Sequence, residues 1–203
     1  MESALRERGG AGARLIETML WDGRAVPRLP LHMARLAAGA QALGYVFDPA
    51  ALALTGPDAP ARLRLTLGAA GDLLLETAPL PPVIAVWRLG LAAERLVSGD
   101  PWLRVKSTHR PAYDAARAAL PAGLDEVVLL NERGEVCDGT ITTLFFDRGQ
   151  GLRTPPLSCG VLPGVLRAEL AVPEEVLQAR DLPHVSLMVG NALRGLCPAV
   201  WAG

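Results

Sequence analysis

Apolar and polar residues change spacing several times along this chain, and each change predicts an element. "ARLIETMLWDGRAVPRL" reads as two short strands around the turn "WDGR", because an Asp-Gly pair between apolar runs favours a hairpin. "LPLHMARLAAGAQALGY" then shifts to helical spacing and enters through Pro30. "ARLRLTLGAAGDLLLETAP" alternates on both sides of "GAAGD" and predicts a second hairpin. Proline density peaks in "APLPPV", residues 78–83. This places a small α+β domain at 1–78, its first ten residues loose, and a linker at 79–83. A larger α/β domain at 84–203 carries the chain's lysine.

Within that larger domain the pattern predicts a strand at "VIAVWRL", a helix around "AYDAARAAL" and a strand at "DEVVLLN". A turn at "ERGE" leads to the strand "TTLFF". "GLRTPPLSCGVLPGVLRAEL" reads as a strand and a helix, and "HVSLMVGNALRGLCPAV" closes the chain. No internal repeat interrupts this order.

Composition narrows the function classes. Half the residues are hydrophobic, 20% are charged and the formal net charge is −1, which gives no electrostatic case for nucleic acid or an anionic membrane. No apolar run has the length of a signal peptide core or a membrane span. The three cysteines are far apart and form no CxxC pair, so neither a disulfide framework nor a metal site is expected, and a reducing cytoplasm fits.

Against nineteen arginines, Lys106 in "WLRVKSTHRPAYDAAR" is the single lysine. Arginine replaces lysine as a surface charge, but it cannot shed a proton near neutral pH and attack a carbonyl. Lys106 is therefore the one side-chain amine that could do so; the plain alternative is a surface lysine that escaped replacement.

Four stretches, "LPLHMARL", "VKSTHRPAYDAAR", "NERGEVCDGTITTLFF" and "TPPLSCGVLPGVLRAEL", resemble in order and spacing the class IV aminotransferases, from about Arg14 to Val200. That family includes branched-chain and D-amino-acid aminotransferases and aminodeoxychorismate lyase. The resemblance implies a mixed α/β, two-domain fold of the D-amino-acid aminotransferase type, pyridoxal 5'-phosphate as cofactor, an amino-acid-like small-molecule substrate and a homodimer. Lys106 would hold the cofactor aldehyde and shuttle protons at the substrate α-carbon. Asp138 stands where the family has a glutamate against the ring nitrogen, with Glu135 as a fallback. Gly164, Val165 and Leu166 would form the phosphate cup after Pro163, with Arg35 reaching the phosphate. Asn191 and Ala192 in "VGNALRG" would lie near the phosphate, and Gly190 replaces a common threonine.

Glu17, Arg110, Arg153 and Arg194 are the candidates for substrate binding, with Arg104 equally available and Tyr113 either in the pocket or in the core. The compact form leans to an aminodeoxychorismate lyase, which would release 4-aminobenzoate and pyruvate. Having only Tyr45 and Tyr113 also counts against a tyrosine-rich branched-chain pocket. A branched-chain or D-amino-acid aminotransferase is the alternative. Two further readings remain: a thiol hydrolase using Cys159 with His109 or His184, and a degenerate family member that binds a ligand or only dimerises.

Overall fold

The computed structural model describes residue 5 and residues 12–203, so the expectation of a loose start falls, residue 5 apart, outside the described residues. The chain divides into two compact units. One takes in the chain to Pro82 together with Val105–His109; the other comprises Val83–Arg104 and Arg110–Gly203. The first division falls inside the proline-dense stretch.

In the first unit, strands β1 (Leu15–Trp21), β2 (Ala61–Leu67) and β3 (Leu73–Pro79) form an antiparallel sheet in that order. The β2–β3 hairpin is the one the alternation predicts. Its turn closes through Gly68 N–H to the Asp72 carbonyl, with Gly71 at φ 88°, which a side chain would resist. The first predicted hairpin does not form; β1 pairs with β2, Glu17 opposite Leu65. After β1, Asp22 Oδ1 accepts the N–H groups of Arg24 and Ala25 and turns the chain. Pro27 follows, with no N–H for a ladder, and helix α1 (Leu29–Leu43) begins almost at once.

Helix α1 has proline in its first turn and ends at Gly44 in the left-handed conformation, φ 67°. His32, Leu36, Gly39, Ala40 and Leu43 share its buried face. A Cβ on Gly39 would lie 3.0 Å from Leu15 Cδ2, so glycine lets the helix approach the sheet closely.

The segment Val105–His109 extends this sheet along the open edge of β1. Ile16 donates its N–H to the Lys106 carbonyl (2.9 Å), Thr108 donates to the Arg14 carbonyl (2.8 Å), and Leu15 bridges Ser107. These bonds draw the lysine segment into the first unit, whereas the sequence reading assigned it to the larger domain.

The second unit is a closed barrel of β4 (Trp87–Leu96), β5 (Glu126–Asn131), β6 (Val136–Gly139), β7 (Thr143–Asp147), β8 (Ser186–Asn191) and β9 (Gly195–Trp201). β4 is parallel to both β5 and β9; every other pairing is antiparallel. Trp87, Phe146, Leu144 and Val189 fill one cluster. Helix α2 (Pro111–Ala118) contributes Tyr113 and Ala116 to another, with Leu129, Cys137 and Cys159.

Helices and strands therefore combine as a mixed α/β fold, as expected. The local pattern misses the barrel and the short strand β6, and β4 begins at Trp87 rather than at Val83. The strand expected in "GLRTPPL" is reduced to single bridges at Arg153 and Thr154, because Pro155 and Pro156 supply no N–H. A short helix α3 (Val165–Leu170) follows.

Candidate active site

Lys106 is half-buried on the strand added to β1, directly opposite Ile16. On the other face of β1, under α1, lies a buried carboxylate. Glu17 is 1% exposed and receives Arg35 Nε (2.8 Å) and Nη2 (2.5 Å) in a two-pronged pair. His32 Nδ1 lies 2.6 Å from Glu17 Oε2. Burial is the largest single influence and would raise the Glu17 pKa, but the bonds from Arg35 and His32 together outweigh it and hold it below its ordinary 4.5.

Arg35, assigned from the sequence to a phosphate, thus has its guanidinium oriented by Glu17, and Glu17 is an anchor for Arg35. The stability that a lowered acid pKa provides is complete above the unfolded value of 4.5 and is lost as pH falls through the folded pKa. Thermal melts between about pH 7 and about pH 3 should therefore show wild type losing stability below pH 4.5 more steeply than Glu17→Gln. The variant should itself cost roughly 3 kcal/mol at neutral pH. Parallel curves would remove Glu17 from this role.

In the second unit Asp138 is 3% exposed on β6, opposite Thr143, and its Oδ2 accepts the Leu162 N–H at 2.8 Å. The turn joining β6 to β7 is tied down from beneath. Glu126, fully buried, accepts from the Thr140 hydroxyl (2.5 Å), the Thr142 hydroxyl (3.0 Å) and the Ile141 N–H (3.1 Å). This fixes the backbone that aims Asp138.

Tyr113 lies close by, its hydroxyl buried and without a hydrogen-bond partner among the described residues. Burial, and then the charge of Asp138, push that hydroxyl well above its ordinary 10. Glu135, the fallback for Asp138, is engaged elsewhere. Arg133 and Asn131 bond it and hold its pKa down to about 2, and it accepts from the Cys159 thiol.

Gly164 precedes α3, and a Cβ there would sit 2.8 Å from Thr143 Oγ1; Val165 and Leu166 are buried. Gly190, noted as a departure from a common threonine, has a packing cause. A Cβ there would collide with Leu166 Cδ2 and stand 2.6 Å from the Gly195 carbonyl oxygen. Asn191 serves the β8–β9 turn, its Oδ1 accepting from Leu193 and Arg194 while Nδ2 donates to the Ile141 carbonyl. Ala192 is buried beside it in sequence.

The arginines divide by what already holds them. Arg110 donates to Asp114 (2.9 Å) and to the Thr140 carbonyl (2.5 Å). Arg153 pairs with Glu175, which also pairs with Arg148. The Arg194 guanidinium lies 5.2 Å from the Trp87 ring centre. Arg104 is half-buried at the end of a short 3₁₀ turn, Pro101–Arg104.

The thiol reading has no support in the geometry. The Cys159 thiol donates to Glu135, and burial pushes it up to about 12, while burial also raises Cys137. No group of His, Cys, Asp and Glu among the described residues is arranged to hold a metal.

The sequence reading did not single out His32, Glu126, Thr143 or the Leu162 amide. His32 carried a usable signal, three residues before Arg35 on one helix, and Glu126 another, an acid inside an apolar strand. A backbone amide carries none.

The model of the family Amino-transferase class IV matches residues 14–200. A provisionally named aminodeoxychorismate lyase of Schizosaccharomyces pombe is 27% identical over 211 residues, covering 93% of this chain and 89% of that protein. A provisionally named amino-acid aminotransferase of Mesorhizobium loti has a solved structure that superposes at TM-score 0.89 with 44% identity, over 94% of this chain and 100% of that one. The 4-amino-4-deoxychorismate lyase of Pseudomonas aeruginosa superposes at TM-score 0.80 with 24% identity, over 97% and 85%, and bears on the fold alone. The chain is an enzyme-family fold throughout, and it belongs to the class IV aminotransferases.

Proposed function

We propose that the protein is a pyridoxal-phosphate enzyme acting on an amino-acid-like substrate, with a lyase reaction on aminodeoxychorismate favoured over amino transfer. The observation that carries the cofactor reading is Asp138, a buried carboxylate aimed by a fixed turn and anchored by the Leu162 N–H. A buried acid so placed suits a protonated ring nitrogen. Gly164, which packs closely on the Thr143 hydroxyl, precedes α3 where the resemblance puts the phosphate cup, and Lys106 is the one side-chain amine in the chain.

When bound, the cofactor supplies an electron sink for charge that develops at the substrate α-carbon. Lys106 would attach it, release it to the substrate amine, and then take and return the α-proton. Asp138 would keep the ring nitrogen protonated. Arg35, oriented by Glu17 and His32, would contribute positive charge toward the phosphate, and the backbone at Gly164, Val165 and Leu166 would supply N–H groups. Asn191 and Ala192 would shape the same region from the β8–β9 turn.

The compact form, the two tyrosines and the provisionally named lyase of Schizosaccharomyces pombe support the lyase reading, and the provisionally named amino-acid aminotransferase of Mesorhizobium loti favours the second reading, transamination. Incubation with aminodeoxychorismate separates them: release of 4-aminobenzoate and pyruvate supports the lyase. Amino transfer from an L- or D-amino acid to 2-oxoglutarate, with neither product formed, would establish the transaminase instead. A homodimer in the cytoplasm completes the proposal, and size-exclusion chromatography with light scattering tests the assembly.

A further inference from the structure

A bulge in β6 decides which way Asp138 points. Leu130 pairs with Val136 and Val128 with Gly139, so Cys137 and Asp138 together oppose the single residue Leu129. Such a bulge breaks the alternation of the strand and re-aims a side chain, setting two consecutive residues on one side of the sheet. Leu129 and Cys137 belong to the cluster that α2 covers, so Asp138 is turned toward that face as well. The Leu162 N–H that bonds its Oδ2 directly follows Val161, another member of the same cluster.

Tyr113 meets this face from α2. It packs in the cluster with Leu129 and Cys137, and its hydroxyl is buried with no hydrogen-bond partner among the described residues. A buried hydroxyl left unpaired destabilises a fold, a cost that phenylalanine would avoid at the same place. The ring is also held in position. The Arg110 guanidinium lies 5.1 Å from its centre and donates to the carbonyl of Thr140, two residues past Asp138, so the start of α2 is tied to the turn that follows β6. The groups that face the hydroxyl are Asp138, the Cys137 thiol, Arg110 and Asp100, and after burial Asp138 acts on it most strongly. Tyr45, the other tyrosine, is satisfied by its bond to the Ala13 carbonyl at 2.5 Å.

We infer that Tyr113 is a positioning residue for Asp138, its hydroxyl donating a hydrogen bond toward the carboxylate through one bridging water. No direct bond joins the two, and a water between polar groups at this separation links them almost as well. A bond donated to a carboxylate favours its charged form. With that support Asp138 is the weaker base and leaves the shared proton on the ring nitrogen; without it, the carboxylate takes a larger share. The inference rests on the reading of Asp138 as the ring-nitrogen partner and adds the residue that sets its strength.

Nuclear magnetic resonance tests both halves. With only two tyrosines in the chain, tyrosine labelled at Cζ gives two resonances, assigned by Tyr113→Phe. In cofactor-free protein, Asp138→Asn should move the Tyr113 resonance and leave that of Tyr45 in place. In protein loaded with ring-labelled pyridoxal phosphate, Tyr113→Phe should move the ring-nitrogen resonance toward its unprotonated position. Fluorotyrosine at position 113, a stronger donor of nearly equal size, should move it the other way, which a packing role would not do. Tyr113→Phe should melt no lower than wild type, and should lower kcat roughly three- to tenfold with KM within about twofold. A Tyr113 resonance that ignores Asp138→Asn would overturn the inference. So would a ring-nitrogen resonance that responds to Asp138→Asn but not to Tyr113→Phe. A Tyr113 resonance that responds to Asp138→Asn in a protein that takes up no cofactor would keep the link and refute the proposed enzyme.

Discussion

Lys106→Ala will fold and will carry no covalently attached cofactor. Wild type, purified with pyridoxal phosphate, should be yellow, bleach with borohydride and gain the mass of one reduced pyridoxyl phosphate; the variant should gain none. Turnover should fall by at least roughly 10²- to 10⁴-fold, the range for removing a general acid–base, and by more where the attachment itself is needed. The fold survives because the bonds that dock this segment on β1 are main-chain bonds, Ile16 to the Lys106 carbonyl and Thr108 to the Arg14 carbonyl, which alanine retains. With arginine as the only other strongly basic side chain type in quantity, no neighbouring amine can substitute. A variant that keeps the reducible chromophore would refute the assignment. A wild type that takes up no cofactor would instead favour the degenerate, non-catalytic reading.

Asp138→Asn will take up cofactor yet turn over about 10²- to 10³-fold more slowly, the scale of removing one preorganised electrostatic partner. Asparagine is nearly isosteric, and its amide oxygen can still accept the Leu162 N–H now received by Oδ2. The turn that aims the residue is held by Glu126 and is untouched. What disappears is the negative charge that keeps a ring nitrogen protonated. Glu135 cannot take over, since Arg133, Asn131 and Cys159 already occupy its carboxylate. Steady-state kinetics beside an absorption spectrum of the bound cofactor check the prediction. Near-normal turnover with normal cofactor content would remove Asp138 from the chemistry and leave it as the residue that anchors Leu162.

Much of the first unit was legible locally. The β2–β3 hairpin and α1 follow from alternation, a glycine-bearing turn and a proline at the helix start, all of which act over a few residues. The same logic failed at "WDGR", where a good turn signal produced a turn but not a hairpin. A strand needs a partner of sufficient length, and Arg24-Ala25-Val26 before Pro27 does not supply one. Gly190 shows the converse. In sequence it is a missing hydroxyl, whereas in the structure it is a position where any side chain would strike Leu166 and the Gly195 backbone.

The sequence by itself determined the chemistry available: one side-chain amine, an acid at the place of the family's glutamate, and a glycine beside a proline where a helix starts. It also determined the family, because four motifs in order are a linear property. Only the tertiary structure decided which of nineteen arginines are engaged, that Glu17 binds Arg35 and His32, and that a bulge turns Asp138 to the face where Tyr113 packs. It likewise decided that six strands close into a barrel. The physical reason is range. Turn and helix signals act within one or two turns of chain. An ion pair, a sheet register or the closure of a barrel joins residues tens of positions apart, and that pairing exists only once the chain has folded.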